Sequence, residues 1–146
     1  MNLRLKRSLG LFLALVFILL SVFHVVGAFD AWRDLAIVPT LPGQPAHYPR
    51  GLSWLRVAGA LALAAVVVLA RADLILRSVP KWMSTCACLV LGSVFVFRTV
   101  GEFHWLGLFR SVTGTDFAYW DAWLYTPLCL VIAVATLTLA ATARSR

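Results

Sequence analysis

The chain has 146 residues, of which 62% are hydrophobic and 13% charged, and its mean hydropathy is +0.89. Soluble domains are about half apolar and about a quarter charged, so a water-soluble fold of this length could not bury so much apolar surface. The same figures exclude disordered, collagen-like and disulfide-scaffold proteins. The composition therefore predicts an integral membrane protein.

The net charge of +7 comes from 13 Lys and Arg residues against six Asp and Glu residues. In a soluble protein this excess would suggest nucleic acid as a partner. Here the basic residues lie beside hydrophobic runs, where they set topology and contact anionic lipid headgroups. We therefore expect the lipid bilayer as a partner and no nucleic acid. Cys86, Cys88 and Cys129 lie inside apolar runs without metal-ligand spacing, so we expect buried free thiols.

A helix that crosses the hydrocarbon core needs about 20 apolar residues. Four stretches meet this requirement, at about 9–28, 52–72, 82–100 and 122–143. Arg56 and Arg71 lie near the ends of the second stretch, where their head groups can extend to the interface. Pro127 removes a backbone donor from the fourth and should bend that helix, freeing the carbonyl of Trp123. The sequence predicts an all-α protein, a single four-helix membrane domain over residues 1–146.

The first stretch could instead be a cleavable signal peptide. Basic residues precede it, and Val26-Gly27-Ala28 would serve as a cleavage site. Its apolar region, Leu9 to Phe23, is already at the long limit for a signal sequence. We therefore favour a retained signal anchor, which keeps four spans rather than three.

Basic residues are distributed unevenly between the two predicted sides of the membrane. The N-terminal tail, the connection from Arg71 to Lys81 and the C-terminal tail hold eight basic residues against Asp73 alone. The positive-inside rule then places both termini in the cytoplasm of a bacterium, and four spans have the parity that this requires. The protein is thus predicted to be a multi-pass protein of the bacterial cytoplasmic membrane.

The two predicted outer loops differ in character. The loop from about Phe29 to Gly51 contains four prolines, which favour an extended cover over the outer face. The loop from Gly101 to Asp121 is rich in aromatic residues and should lie in the headgroup region. Asp116 is placed to cap the helix that follows.

Ionisable and polar residues concentrate toward the predicted outer half. The candidate cluster consists of His24, Arg98, Glu102, Asp116, Asp121 and Tyr125. His24 and Arg98 lie at comparable heights, about 24 Å along a core of about 30 Å, so they could meet. Asp116 and Asp121 lie about 140° apart around a helix, which favours cap and interface roles over a catalytic pair.

Three interpretations remain open for the charged residues Arg98 and Glu102 in this cluster. They are four residues apart and would share a helix face if the third helix continued through Gly101. An ion pair there would ease the placement of Arg98 in the membrane and would be structural. Alternatively, Arg98 could bind an anion while Glu102 acts as a general acid or base. In the third interpretation the two side chains never touch.

His24 allows three interpretations. It could hydrogen-bond a neighbouring helix, handle protons or a ligand, or bind a metal. A metal site would combine it with His104 and Glu102, although nothing in their spacing requires this. We therefore predict no metal and no cofactor.

The segment from Phe97 to Leu130 resembles the closing signature of small bacterial four-helix membrane proteins catalogued as a domain of unknown function. The matching positions are Arg98, Gly101-Glu102-Phe103, Gly107-Leu108-Phe109-Arg110, Thr115-Asp116-Phe117-Ala118, Asp121 and Tyr125-Thr126-Pro127-Leu128-Cys129. His24, Gly27 and Val38-Pro39 fit the less specific first half of the pattern. The resemblance implies a four-helix fold in the bacterial membrane, and it supplies no activity.

The sequence contains no Gly-rich phosphate loop, no GxSxG, no HExxH and no kinase signature. We therefore expect a noncatalytic component that either assembles with a partner, a membrane protein or a second copy, or binds a small ligand. The alternative is a small membrane enzyme or transporter with a polar pocket at the outer side of the bundle.

Overall fold

The computed structural model describes residues 2–29, 51–104 and 106–142, and all regular structure in these ranges is helical. The elements are α1 (Leu3–Gly27), α2 (Gly51–Arg71), α3 (Lys81–Val100), α4 (Asp116–Trp120), a π-helical turn (Asp121–Tyr125) and α5 (Thr126–Ala141). The last three are continuous, so the described ranges contain four helices long and apolar enough to cross a membrane. This confirms the prediction of an all-α protein with four membrane-spanning helices.

The helices form two hairpins that pack against each other. Helix α1 packs chiefly on α2, and α3 packs chiefly on α5, while α2 also contacts α3. The core between them includes Leu13, Phe17, Val68, Cys88 and Ile132. Because lipid tails are as apolar as these side chains, close packing rather than hydrophobic transfer holds such a core together in a membrane.

The up-and-down order gives the bundle two distinct ends. We call the end with Lys6, Arg71, Lys81 and Thr142 the terminus end, because both described chain ends lie there. We call the opposite end, with His24, Trp54 and Arg98, the loop end. The long connection at the loop end, predicted as an extended proline-rich cover, falls largely outside the described residues.

Helix α1 starts well before the predicted first span, at Leu3 rather than residue 9. The side chain of Asn2 caps it by accepting the backbone N–H of Leu5 at 2.8 Å. The added turns carry Lys6 into the bundle, where its ammonium pairs with Asp73. Helix limits are not membrane limits, so the predicted span boundaries and the single-domain assignment stay predictions.

Thr115, not Asp116, caps the fourth helix. The Thr115 hydroxyl accepts the backbone N–H of Ala118 at 3.1 Å, and Asp116 is the first helical residue. The predicted cap was therefore wrong by one position. Further along, the N–H of Thr126 donates to the carbonyl of Asp121, five residues back. This π-helical turn lies directly before Pro127, which has no N–H to donate.

For two side chains the structure adds to or corrects the expectation. Arg71, expected to reach the interface, is 5% exposed, and its guanidinium donates to the carbonyls of Ala140 and Thr142 at the end of α5; its position relative to the interface stays a prediction. Cys88 is buried as predicted, but Cys86 is exposed on the bundle surface. The arginine is thus a link between α2 and the last turn of α5, where cations interact favourably with unpaired carbonyls.

Candidate functional site

A fully buried carboxylate, Asp121, organises the loop end. Its Oδ1 accepts a hydrogen bond from Arg98 Nη2 at 2.6 Å. Its Oδ2 accepts from the backbone N–H of Gly107 at 2.9 Å and from the Thr126 hydroxyl at 3.1 Å, and Arg110 Nη1 lies 3.6 Å from the same oxygen. We call these five residues the Asp121 node. It ties α3, the following loop and the π-helical turn together.

The predicted ion pair between Arg98 and Glu102 does not form. Helix α3 ends at Val100, and Gly101 takes a φ of +90°, a conformation that favours glycine. The chain therefore leaves the helix before Glu102, whose side chain is exposed. Gly107 packs so closely on Gly101 that a Cβ on either residue would clash with backbone.

An apolar cavity of about 360 Å³ opens next to this node, between α1, α2, α3 and the fourth span. The described residues that line it are mostly aliphatic and aromatic: Leu20, Phe23, His24, Trp54, Val57, Leu61, Phe95, Arg98, Phe117, Tyr125, Leu128, Cys129 and Ile132. The polar atoms at its wall come mainly from the three predicted site residues His24, Arg98 and Tyr125. We call it the loop-end cavity.

The other three predicted site residues have different positions. Asp121 is fully buried and contacts Arg98 without lining the cavity. Glu102 and Asp116 are exposed and do not line it either. The structure therefore brings four of the six candidate residues to one region and leaves two outside.

His24 forms its hydrogen bond within its own helix. Its Nδ1 lies 2.7 Å from the carbonyl oxygen of Leu20 in the same helix. The carbonyl can only accept, which assigns the proton to Nδ1 and leaves Nε2 with its lone pair in the neutral ring. The ring also packs against Trp54, with centroids 5.2 Å apart. A role for His24 toward a neighbouring helix or a ligand stays a prediction.

The residues considered for a metal site do not come together. Among the described residues there is no group of three or more His, Cys, Asp or Glu side chains that could hold a metal ion. His104 is exposed, and its Nδ1 lies 3.1 Å from the Ser111 hydroxyl. His24 instead lines the loop-end cavity, without Glu102 or His104 beside it.

Arg98 can only donate hydrogen bonds at the cavity wall, whereas the imidazole of His24 and the hydroxyl of Tyr125 are groups that can donate or accept. Nη2 of Arg98 is held by Asp121, whereas Nη1 is buried and has no hydrogen-bond partner among the described residues. A buried unsatisfied donor is costly in a membrane interior. A ligand in the cavity would meet the exposed part of the Arg98 side chain rather than this buried nitrogen. Asp121 already accepts three hydrogen bonds, so it is poorly placed to exchange protons with a ligand.

Sequence reasoning missed the aromatic wall of the cavity. Phe95 precedes Arg98 by three residues and therefore shares its helix face, a signal that the sequence did carry. Trp54 has no such local signal, because its place beside His24 depends on how α1 and α2 pack. Gly107 and Thr126 were identified only through the family resemblance, which gave no role for them.

Comparison with known proteins agrees with that resemblance. No curated protein and no solved structure matches the chain significantly. The family described as "Protein of unknown function (DUF3995)" matches residues 14–136. This span contains every described residue that lines the loop-end cavity and every residue of the Asp121 node. The chain belongs to the DUF3995 family of proteins of unknown function.

Proposed function

We propose that this membrane protein binds a small, mostly apolar ligand in the loop-end cavity and does not transform it. The observation that carries the proposal is the apolar cavity with the side chain of Arg98, which is 27% exposed, at its wall. Pockets of this kind, apolar walls with few convergent polar groups, are the usual form of small-molecule sites.

The cavity sets the size and chemistry of the ligand. Its volume of about 360 Å³ corresponds to about twelve water-sized groups, so a molecule or lipid segment of about that many heavy atoms fits. The ligand needs an acceptor oxygen to meet Arg98, such as that of a carboxylate or carbonyl. The two guanidiniums of the Asp121 node exceed its single carboxylate by one charge, which favours a negatively charged end.

The arrangement favours binding over catalysis. General acid–base chemistry needs a group that can exchange a proton with the ligand. Of the carboxylates predicted at the site, Asp121 is enclosed by donors, while Glu102 and Asp116 lie outside the cavity. Arg98 and His24 can orient a ligand, and this supports a binding component.

We further propose that the protein resides in the bacterial cytoplasmic membrane as a single four-helix domain with both termini in the cytoplasm. The excess of basic residues at the terminus end supports this orientation. A green fluorescent protein fused after Arg146 should fluoresce, and alkaline phosphatase fused there should be inactive. Active phosphatase at that position would reverse the proposed orientation.

The binding proposal can be tested with a photoreactive probe, decanoic acid carrying a diazirine in its chain. The probe is added to the protein in lipid nanodiscs, activated by light, and its adducts are mapped by peptide mass spectrometry. Phe95 lines the cavity, whereas its neighbour Val94 faces outward. Probe that stays dissolved in the lipid can reach only the outward face, which carries Val94. If the probe binds in the cavity, adducts at Phe95 should exceed those at Val94.

A matched pair of variants separates cavity binding from background labelling. Cys129→Phe adds bulk inside the cavity, whereas Leu130→Phe adds bulk on the exposed side of the same helix. Cys129→Phe should abolish the excess labelling at Phe95, and Leu130→Phe should preserve it. If both variants label alike, the cavity does not bind the probe, and an assembly role with a second copy or another membrane protein becomes the better explanation.

A further inference from the structure

A second cavity, of about 300 Å³, lies at the terminus end and has a different lining. Its described lining residues are Lys6, Arg71, Asp73, Lys81, Trp82, Thr85, Ala140 and Thr142. We call it the terminus-end cavity. Three of these side chains are cationic and one is anionic, so its lining has a net charge of +2 among the described residues.

Asp73 holds two of the cations in place. Lys6 Nζ donates to Asp73 Oδ2 at 2.6 Å, and Lys81 pairs with Oδ1 of the same carboxylate. The Lys6 side chain is only 6% exposed, so its charge is largely removed from water. One carboxylate therefore shares its charge between two ammonium groups, and neither is fully neutralised.

Arg71 supplies the third cation and is also deeply buried. Its Nη2 donates to main-chain carbonyls at the end of α5, while its Nε is buried and has no hydrogen-bond partner among the described residues. Carbonyls orient the guanidinium but do not cancel its full charge. The cavity thus concentrates positive charge from three side chains, which favours an anion with several acceptor oxygens.

Two features favour a position for this cavity near the lipid headgroups. Trp82 lines it and is 68% exposed, and tryptophan prefers the membrane interface. The cavity also lies where α1 and α3 begin and α2 and α5 end, and the ends of membrane-spanning helices lie near the interface.

We propose that the terminus-end cavity binds one anionic phosphate group, such as the phosphodiester of an anionic phospholipid. Lys6, Arg71 and Lys81 are its binding residues. A free phosphate ion would meet the same chemistry from the aqueous side. This site is at the opposite end of the bundle from the loop-end cavity and does not depend on the ligand proposed there.

Lipid titration of the delipidated full-length protein, followed by native mass spectrometry, tests the proposal. Phosphatidylglycerol should bind with one tight site per chain, and zwitterionic phosphatidylcholine should not compete for it. Excess inorganic phosphate distinguishes the two sources: displacement of the lipid assigns the site to phosphate in general, and retention assigns it to the lipid. Absence of a tight phosphatidylglycerol site and of a phosphate adduct would overturn the proposal.

Two charge-matched variants localise the site. Lys81→Gln removes a lining cation, whereas Arg77→Gln removes an exposed cation from the same connection outside the cavity. Loss of a charge-assisted contact should weaken phosphatidylglycerol binding about tenfold in Lys81→Gln, with Arg77→Gln within about twofold of the parent protein. Equal weakening in both would show general surface electrostatics and overturn the assigned site. Circular dichroism of both variants checks that the helices are retained.

Discussion

Replacing Asp121 with asparagine should destabilise the protein substantially, although the two side chains have nearly the same shape. Three donors converge on the carboxylate, with Arg98 at Oδ1 and both Gly107 N–H and the Thr126 hydroxyl at Oδ2. An amide has only one acceptor oxygen. If that oxygen faces Arg98, the amide NH₂ opposes the N–H of Gly107, and two donors are left facing each other.

The magnitude follows from the burial of the pair. Removing one partner of a fully buried ion pair costs about 3–5 kcal/mol. The Arg98 side chain is 27% exposed, so part of its charge remains solvated. We therefore expect Asp121→Asn to lower the free energy of unfolding by about 2–4 kcal/mol. Asp116→Asn is the matched control, because Asp116 is exposed in the first turn of α4 and loses less than about 1 kcal/mol of helix-dipole interaction.

Reversible unfolding by SDS in mixed micelles, followed by circular dichroism, measures both free energies. The combination of Asp121→Asn with Arg98→Gln extends the test, since the double variant no longer leaves a buried cation without its carboxylate. The double variant should lose less unfolding free energy than the sum of the losses of the two single variants, by about 1–3 kcal/mol. Equal free energies for Asp121→Asn and Asp116→Asn, or strict additivity in the double variant, would refute the central role of Asp121.

Three further changes have defined outcomes in the same unfolding assay. Gly92→Ala should destabilise the protein by at least about 1 kcal/mol, because the added Cβ would lie 2.6 Å from Leu137 Cδ2. In the control Gly59→Ala the added Cβ meets nothing within 4 Å, so this variant should be neutral or stabilising. The opposite order of stabilities would contradict the packing of α3 on α5. Thr136→Val should leave stability unchanged or raise it, because the fully buried Thr136 hydroxyl has no partner among the described residues; a clear loss would reveal a bond to that hydroxyl. Thr115→Ala should cost about 1 kcal/mol by removing the cap of α4, and an unchanged midpoint would refute the cap.

The four helices could be predicted from the sequence because the signal is local. A membrane span needs about 20 apolar residues in succession, and each of the four helices carries such a run. Packing between helices leaves no comparable local signal in the sequence. The pair of Phe17 and Phe95, with ring centroids 5.6 Å apart, joins α1 and α3 across the centre of the bundle and follows only from how the two hairpins pack.

The candidate site was predicted in part, and its errors have one physical cause. Arg98 was paired with the carboxylate four residues away because that spacing fits a continuous helix. The positive φ of Gly101 ends the helix first, and the true partner, Asp121, lies 23 residues along the chain. Similarly, Lys6 pairs with Asp73 across 67 residues. Local spacing selects such partners only when the chain between them keeps one regular conformation.

The two ends of the bundle share one structural feature, a carboxylate that joins separate parts of the chain. At each end one carboxylate, Asp121 or Asp73, joins different parts of the chain by accepting from two or more cations or donors. At each end the described cations also outnumber that carboxylate. A carboxylate that links helices can offset the desolvation of one cation but not of two. The remaining positive charge therefore lies next to a cavity at each end. The walls of one cavity are mostly apolar, whereas half of the described residues that line the other are charged, so the two proposed ligands differ in chemistry.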